Sequence, residues 1–304
     1  MMDLRQALKD YLDLRRSLGS KLRGADTQLS AFLDALEAVG SPIIKTSLAV
    51  DWATRPEAPR SSDKRLNLVR GFARYVHTLD PRTEVPPPYC LPHPRRLPPY
   101  LYSDQEIRQV MDAALELKDR FRALTCRTLI GLLAATGARV GEMIALDGTD
   151  VDWEEHVLTI RAGKFGKSRE VPLHPTTIAA LREYAEERRR RFPVTSAVAF
   201  FVSLNNTRLI YQDVRHTFQR LVDRVGLGDR KPHRPRIHEL RHAFAIRTLV
   251  DWYKAGLDVE RMLPLLSTYL GHVSPSSTYW YLTAAPELLG VAAKRLEEHL
   301  GDLP

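Results

Sequence analysis

Side chains that could together cleave a phosphodiester recur along the second half of this chain. They are Arg139, Lys164, His238, Arg241, His272 and Tyr281. Paired guanidiniums can bind the non-bridging oxygens of a phosphate as planar forks and stabilise the charge that these oxygens gain in a transition state. A lysine amine can protonate a leaving oxygen, an imidazole can accept a proton, and a phenol can attack phosphorus. The set therefore indicates phosphodiester cleavage that needs no metal ion.

The two arginines lie in short motifs that also suggest their neighbours. In TGARVGEMIAL, Gly137 is expected to end one helix and Arg139 to begin the next, with Glu142 as its partner. In HELRHAFA, His238 precedes Arg241 by three residues, so both side chains would share one face of a helix. We expect His238 to accept the proton of an attacking phenol.

The lysine and the tyrosine each have a rival nearby. Lys164 and Lys167 share the turn AGKFGKSR, and either flexible amine could reach a site built by helices. Tyr279 and Tyr281 both follow His272 in LGHVSPSSTYWY. A free phenol has a pKa of about 10, so the nucleophile needs a base or cations beside it. This requirement does not separate the two tyrosines.

The composition is that of a basic globular protein. The chain has 304 residues and 44% hydrophobic content, and 45 Lys and Arg against 37 Asp and Glu give a net charge of +8, which favours a polyanionic partner. Cys90 and Cys126 show no CxxC spacing, so we expect neither a disulfide framework nor a cysteine-rich metal site, and a reducing cytoplasm suits the chain. The longest apolar stretch, Leu129 to Ala138, is too short to span a bilayer.

A proline-rich segment divides the chain into two expected domains. Eight prolines between Pro81 and Pro99 exclude a helix and favour an extended linker. We therefore expect a helical domain at residues 1–80, a linker at 81–100 and a second domain at 101–304.

Apolar residues at spacings of three and four predict three or four helices in the first domain, among them 4–18, 27–39 and 62–79. The last of these carries the basic residues Lys64, Arg65, Arg70 and Arg74. Two interpretations of this helix stay open. It is a solvated face, or it lies against DNA phosphates and releases their counterions.

The second domain is expected to be mainly helical with one β-hairpin. A capping box at Ser103 and Glu106 opens one helix, and another runs from about 121 to 135. HVLTIRAGKFGKSREVPL has strand-like runs on both sides of a turn rich in glycine and lysine, which predicts the hairpin. Helices are expected again from Pro175 to Leu300.

Four motifs resemble, in the same order, those of the tyrosine recombinases of the phage-integrase family. They are TGARVGE, GKFGKSREVPL, HELRHAFA and LGHVSPSSTYWY. The resemblance implies that Arg139 and Arg241 bind the phosphate and that His272 donates a further hydrogen bond to it.

The same resemblance implies the groups that move protons and the group that attacks. It makes Lys164 the general acid and His238 the proton acceptor. It selects Tyr281, nine positions after His272, as the nucleophile rather than Tyr279.

The resemblance also implies the fold and the reaction. The fold would be mainly α with a small β-sheet or hairpin, built from an N-terminal helical core-binding domain and a mixed α/β catalytic domain. The enzyme would be a site-specific DNA recombinase, the integrase or transposase of a mobile element. It would cleave double-stranded DNA by transesterification through a 3′-phosphotyrosyl intermediate, without metal, ATP or another cofactor. A homotetramer on two recombination sites is implied, with sister recombinases as further candidate partners.

Three other interpretations compete with this one. His238 to His242 reads HELRH, which fits the HExxH signature of zinc proteases, although zinc would leave Arg139, Lys164 and Tyr281 without roles. A non-catalytic DNA-binding protein would keep the fold but should lack a key residue. A type IB topoisomerase would share the chemistry but act as a monomer.

The last segment of the chain bears on the choice between recombinase and topoisomerase. Between 285 and 300 an apolar stripe consists of Leu288, Leu289, Ala292, Leu296 and Leu300. Two interpretations of this stripe stay open. It docks on a neighbouring subunit, as the tetramer requires, or it packs against the rest of its own domain.

Overall fold

A computed structural model describes residues 3–20, 22, 24–55, 62–88, 91, 98–161, 168–194, 197–230, 233–272, 274, 276–284 and 290. The chain divides into two compact units, Met1–Arg96 and Leu97–Pro304. Among the described residues, no helix is both long enough and apolar enough to cross a bilayer.

Four helices build the N-terminal unit. They are α1 (Leu4–Ser17), α2 (Ala25–Ala38), α3 (Thr46–Ala53) and α4 (Ser62–Leu79). The predicted helices are confirmed, with α3 as the fourth. Their apolar faces form one core, in which Phe32 packs against Trp52 with ring centroids 5.2 Å apart. This unit is closed by helix packing alone within its described residues.

The first part of the proline-rich segment packs against these helices. The Glu84 N–H donates to Ile44 O at 2.8 Å, and the Glu84 carboxylate accepts from the Thr46 N–H at 2.8 Å. The side chain of Arg70 donates to the carbonyls of Pro86 and Pro87. Proline lacks an N–H but keeps its carbonyl acceptor, so such a segment can still satisfy a buried guanidinium. The boundary between the two units follows Arg96, inside the expected linker at residues 81–100.

The second unit is mainly helical. Its helices are α5 (Asp104–Leu115), α6 (Arg120–Thr136), α7 (Val140–Ala145), α8 (Pro175–Arg191), α9 (Tyr211–Arg224), α10 (Glu239–Lys254), α11 (Val259–Leu270) and α12 (Ser276–Ala284). The predicted capping box is present at the start of α5, where Ser103 and Glu106 exchange hydrogen bonds. Helix α6 ends at Gly137, whose φ of 60° places it in the left-handed region that favours glycine.

A three-stranded antiparallel sheet accompanies the helices. Strands β1 (Val151–Asp152), β2 (Val157–Ile160) and β3 (Arg169–Pro172) follow each other in that order. In the β2–β3 hairpin, Val157 pairs with Pro172 and Ile160 with Arg169, which confirms the predicted hairpin. Its turn, with Lys164 and Lys167, lies outside the described residues.

The expectation of helices throughout the region after Pro175 is wrong for the segment between α8 and α9. There Ala199 forms a β-bridge with Asp147, and Val202 forms one with Arg208. Phe200 and Phe201 are buried, and Phe201 packs on Tyr184 with ring centroids 5.0 Å apart. An extended backbone points successive side chains in opposite directions, so both phenylalanines can be buried there. The residues of the predicted apolar stripe, between Leu288 and Leu300, lie outside the described residues.

Candidate active site

Three consecutive backbone carbonyls at the end of α11 accept hydrogen bonds from three different arginines. Arg169 Nε donates to Tyr269 O at 2.8 Å, Arg241 Nη2 to Leu270 O at 2.6 Å, and Arg139 Nη2 to Gly271 O at 2.8 Å. The last carbonyls of a helix have no partners within it and form the negative end of its dipole. Three guanidiniums therefore lie at the end of α11: those of Arg169 on β3, Arg241 on α10 and Arg139, the residue before α7.

Glycine is required where this arginine cluster meets the end of α11. Gly271 has a φ of 65°, a conformation that costs other residues free energy. A Cβ atom at this position would lie 2.7 Å from Arg169 Nη1. The backbone conformation and the close approach of the guanidinium thus both disfavour a side chain at Gly271.

Arg241 is the most buried of the predicted cationic residues that the structure describes. Its residue surface is only 3% exposed, and its Nη1 donates to Gly137 O, at the end of α6, at 2.8 Å. Burial, followed by the charge of Arg139, lowers the pKa of Arg241 to about 10. Two like charges held in a partly desolvated position repel each other. A bound anion would relieve this repulsion.

The carboxylate of Glu142 joins two of the three arginines. Its Oε1 accepts from Arg139 Nη1 at 2.7 Å, and its Oε2 accepts from Arg169 Nη2 at 2.7 Å. Burial acts to raise the pKa of Glu142, but the hydrogen bonds from Arg169 and Arg139 outweigh burial and lower it to about 2. Glu142 is thus ionised at neutral pH, and it fixes the direction of both guanidiniums.

Two histidines stand beside this cluster and are neutral at neutral pH. His238 is the N-cap residue of α10, and His272 follows Gly271. Desolvation, followed by the charges of Arg241 and Arg139, lowers the pKa of each imidazole to about 4. His238 is exposed, so a ligand can reach it, whereas His272 is half-buried and bonds Thr278 Oγ1 through Nδ1 at 2.7 Å.

The two candidate tyrosines on α12 differ in their surroundings. Tyr279 is 48% exposed, whereas Tyr281 is 2% exposed. The Tyr281 hydroxyl bonds Nδ1 of His242 at 3.0 Å, and its ring stacks near that of His272 with centroids 6.2 Å apart. The buried tyrosine is therefore the one that the fold brings to the imidazoles.

Comparisons with known proteins agree with this geometry. The model of the phage integrase family matches residues 100–287, which is more than half of the chain and includes every predicted catalytic residue. The chain belongs to the phage integrase family. It is 46% identical to the putative integrase/recombinase y4rB of Sinorhizobium fredii, over 99% of both chains. It is also 28% identical to the tyrosine recombinase XerC of Chlamydia caviae, over 76% of this chain and 70% of the relative.

Solved structures share the fold of this phage-integrase chain. The integrase of transposon Tn1549, in complex with transposon right-end DNA, matches 99% of this chain and 100% of its own with a TM-score of 0.69 at 20% identity. A lambda integrase tetramer bound to a Holliday junction matches 90% of this chain and 76% of its own, with a TM-score of 0.62 at 17% identity. The predicted fold, mainly α with a small sheet and the two-domain tyrosine-recombinase architecture, is confirmed.

The basic residues on α4 of this recombinase have unlike environments. Lys64 and Arg74 are exposed, and the guanidinium of Arg65 lies 4.1 Å from the centroid of the Trp52 ring. Arg70 is 5% exposed and donates to Pro86 O at 2.7 Å and to Pro87 O at 2.6 Å. The donors of Arg70 are thus directed at carbonyls of its own unit, and its contact with DNA stays a prediction that this geometry does not support.

The zinc interpretation of HELRH finds no support in the described geometry. Glu239 is 1% exposed, and its carboxylate accepts from the Arg236 N–H at 2.7 Å and lies 3.1 Å from His233 Nε2. Over the described part of the chain, no group of three His, Cys, Asp or Glu side chains is arranged to hold a metal ion. Glu239 instead ties the start of α10 to the segment before it.

Two residues of the site were missed at the sequence level. Arg169 belongs to the motif GKFGKSREVPL, but only Lys164 and Lys167 were singled out there. His242 directly follows Arg241 in HELRHAFA. Their positions inside motifs were the available signal, whereas their partners come from distant parts of the chain.

Proposed function

We propose that this recombinase uses Tyr281 to cleave and rejoin DNA at specific sites. The observation that carries the proposal is the cluster at the end of α11, where Arg139 and Arg241 stand together near a buried phenol. The Tyr281 ring stacks near His272, with centroids 6.2 Å apart, and His272 directly follows Gly271, whose carbonyl accepts from Arg139. The arginines would hold the scissile phosphate, and the phenol would attack it.

The cleavage step follows from these positions. The Tyr281 oxygen forms a bond to phosphorus, and the bond from phosphorus to the 5′ oxygen breaks. The non-bridging oxygens gain charge in the five-coordinate transition state, where Arg139, Arg241 and the imidazoles of His238 and His272 stabilise it. Because the phosphotyrosine keeps the energy of the broken bond, a 5′ hydroxyl can attack it without ATP, and new strands are joined.

A proton must leave the phenol and another must reach the departing oxygen. For the second proton we propose Lys164 as general acid, with Lys167 as a second phosphate-binding lysine. Arg169 supports this assignment, because it ties β3 of the hairpin to Glu142 and to the end of α11. For the phenol proton, His238 is the acceptor that the motif suggests.

Double-stranded recombination sites are the proposed substrate. The net charge of +8 and the exposed Lys64 and Arg74 on α4, with Arg65 beside them, support a DNA-facing role for this helix. We also propose a homotetramer on DNA, formed through the segment after α12, with sister recombinases as further partners. The tetramer of the lambda integrase neighbour supports this assembly. A mobile element as the source and a cytoplasmic location complete the proposal.

Covalent trapping tests the proposed chemistry. The purified protein would be incubated in EDTA with nicked duplexes tiled from the ends of its own genetic element. Wild type and Tyr279→Phe should give a protein–DNA adduct that survives denaturation, and Tyr281→Phe should bind the same duplexes without forming one. An adduct with Tyr281→Phe, and none with Tyr279→Phe, would transfer the nucleophile to Tyr279. Tight and selective binding without any adduct would favour the non-catalytic interpretation.

A further inference from the structure

The hydroxyl of Tyr281 contacts a histidine that the catalytic motif does not assign. His242 Nδ1 lies 3.0 Å from the Tyr281 oxygen, and the two ring centroids are 5.5 Å apart. His242 is half-buried on α10, next to Arg241 in sequence. A side chain on one helix thus touches the oxygen of the proposed nucleophile on another.

His242 also stands between the phenol and the imidazole of His238. The two histidines are four residues apart, one turn of helix, and their rings form a T-shaped pair with centroids 5.2 Å apart. The ring of Trp280 packs against His242 in a T-shaped contact, with centroids 5.5 Å apart. These contacts hold the His242 ring with its Nδ1 towards the Tyr281 hydroxyl.

We propose that His242 is a catalytic residue that orients the Tyr281 hydroxyl and accepts its proton through Nδ1. The inference rests on the proposed role of Tyr281 as nucleophile. A neutral imidazole that accepts at Nδ1 carries its proton on Nε2, so the ring has a lone pair ready for the phenol proton. This role is the one that the motif assigns to His238.

The geometry favours His242 over His238 for this transfer. A proton acceptor must lie within hydrogen-bond distance of the group that it deprotonates, as His242 does. His238 is then left to hydrogen-bond the phosphate.

The complete step is balanced with this assignment. As the bond from the Tyr281 oxygen to phosphorus forms, the phenol proton moves to His242 Nδ1, which leaves an imidazolium. The bond from phosphorus to the 5′ oxygen breaks, and the general acid protonates that oxygen. In rejoining, the 5′ hydroxyl returns its proton to the general acid, and His242 returns its proton to the Tyr281 oxygen.

Single-turnover cleavage of the nicked duplex tests the proton transfer. His242→Asn keeps a hydrogen-bonding group at the δ position but cannot take up a proton at neutral pH, and His242→Ala removes both properties. Both variants should cleave about 100-fold more slowly or worse at saturating DNA. The control His216→Ala, an exposed histidine on α9, should cleave at the wild-type rate. A wild-type rate for His242→Asn would overturn the proposal.

A duplex with sulfur in place of the 5′ bridging oxygen separates the two proton transfers. A thiolate is a good leaving group without a proton, since a thiol has a pKa of about 8.5. Lys164→Ala should therefore recover most of its rate on this duplex, whereas His242→Asn should stay slow. Recovery of His242→Asn to the wild-type rate would show that His242 acts on the leaving group, against the proposal.

Nuclear magnetic resonance of the DNA-free protein tests the hydrogen bond itself. With ¹⁵N-labelled histidine, His242 should show a protonated Nε2 and an unprotonated Nδ1, and Tyr281→Phe should shift the Nδ1 resonance. A protonated Nδ1 in the neutral ring would overturn the proposal even if no cleavable DNA site were known. The two proposals can fail independently of each other. An adduct with Tyr281→Phe would show that Tyr281 is not the nucleophile. Fast cleavage by His242→Asn would contradict only the role of His242 and leave Tyr281 as the nucleophile.

Discussion

Two buried arginines in different units of this recombinase look alike in isolation. Arg70 on α4 is 5% exposed, and Arg241 on α10 is 3% exposed. Each guanidinium donates to two backbone carbonyls, at 2.7 and 2.6 Å for Arg70 and at 2.8 and 2.6 Å for Arg241. Burial and hydrogen bonding therefore do not tell a structural arginine from an arginine of the active site.

The residues that surround Arg70 and Arg241 distinguish the two arginines. Arg70 donates to the side-chain oxygen of Asn67 and to the two proline carbonyls of the proline-rich segment. Arg241 shares the end of α11 with Arg139 and Arg169, so three cations lie beside the carboxylate of Glu142, which pairs with two of them, Arg139 and Arg169. A stable protein avoids unneutralised charge in a desolvated place unless a ligand completes it. The surplus of positive charge, rather than any one arginine, distinguishes the proposed phosphate site.

Substitution of Arg241 should have the largest effect on the rate of cleavage, and it tests directly whether Arg241 differs in role from Arg70. Arg241→Ala removes a guanidinium that we propose binds the phosphate, so cleavage should slow by about 100- to 1,000-fold, or roughly 3–4 kcal/mol. Single-turnover cleavage at saturating DNA measures this loss. Arg70→Leu should cleave at the wild-type rate under the same conditions. A loss of less than threefold for Arg241→Ala would contradict its role in binding the phosphate.

Substitution of Arg70 should instead lower stability and leave the rate of cleavage unchanged. Arg70→Leu removes the donors to Pro86 and Pro87, whose carbonyls would lose their partners, so the N-terminal unit should lose about 2–3 kcal/mol of unfolding free energy. Urea unfolding of the full chain measures this change. The matched control is Arg74→Leu on the same helix, which is exposed and should change stability by at most about 0.5 kcal/mol. Equal losses in the two variants would show that Arg70 is no more structural than a surface residue.

The sequence predicted the elements whose signals are local. The capping box at Ser103 and the helix end at Gly137 act within one turn, and the alternation around the hairpin turn acts within a few residues. The segment between α8 and α9 escaped prediction because its conformation depends on distant packing. Phe200 and Phe201 reach the ring of Tyr184, which lies on another element.

The motifs gave the residue types of the site but not their partners. Arg70 and Arg241 cannot be distinguished by spacing, because their environments depend on carbonyls 16 to 104 residues away. The partner of Arg169 is the carbonyl of Tyr269, 100 residues further along, and that of His242 is Tyr281, 39 residues away. Long-range pairs of this kind become visible only in the folded chain.

A smaller effect should appear in the pH dependence of stability, since the surplus of cations also acts on His272. Desolvation and the charges of Arg241 and Arg139 lower the pKa of His272 from 6.5 to about 4. As the pH falls, His272 therefore becomes protonated near pH 6.5 in the unfolded chain but only near pH 4 in the folded chain. The stability contributed by the neutral ring is complete above pH 6.5 and is lost as the pH falls through this window.

His272→Asn isolates this contribution, because asparagine keeps a group near the position of Nδ1 for Thr278 but does not titrate. One pKa unit corresponds to about 1.4 kcal/mol, and solvent screening of the half-buried ring should leave about 1 kcal/mol of the shift between pH 7 and pH 5. Urea unfolding at both pH values should show that wild type loses this much more stability than the variant. Equal losses would mean that neither burial nor the neighbouring arginines lower the pKa of His272 in the absence of DNA, and the distinction between Arg241 and Arg70 would then need another cause.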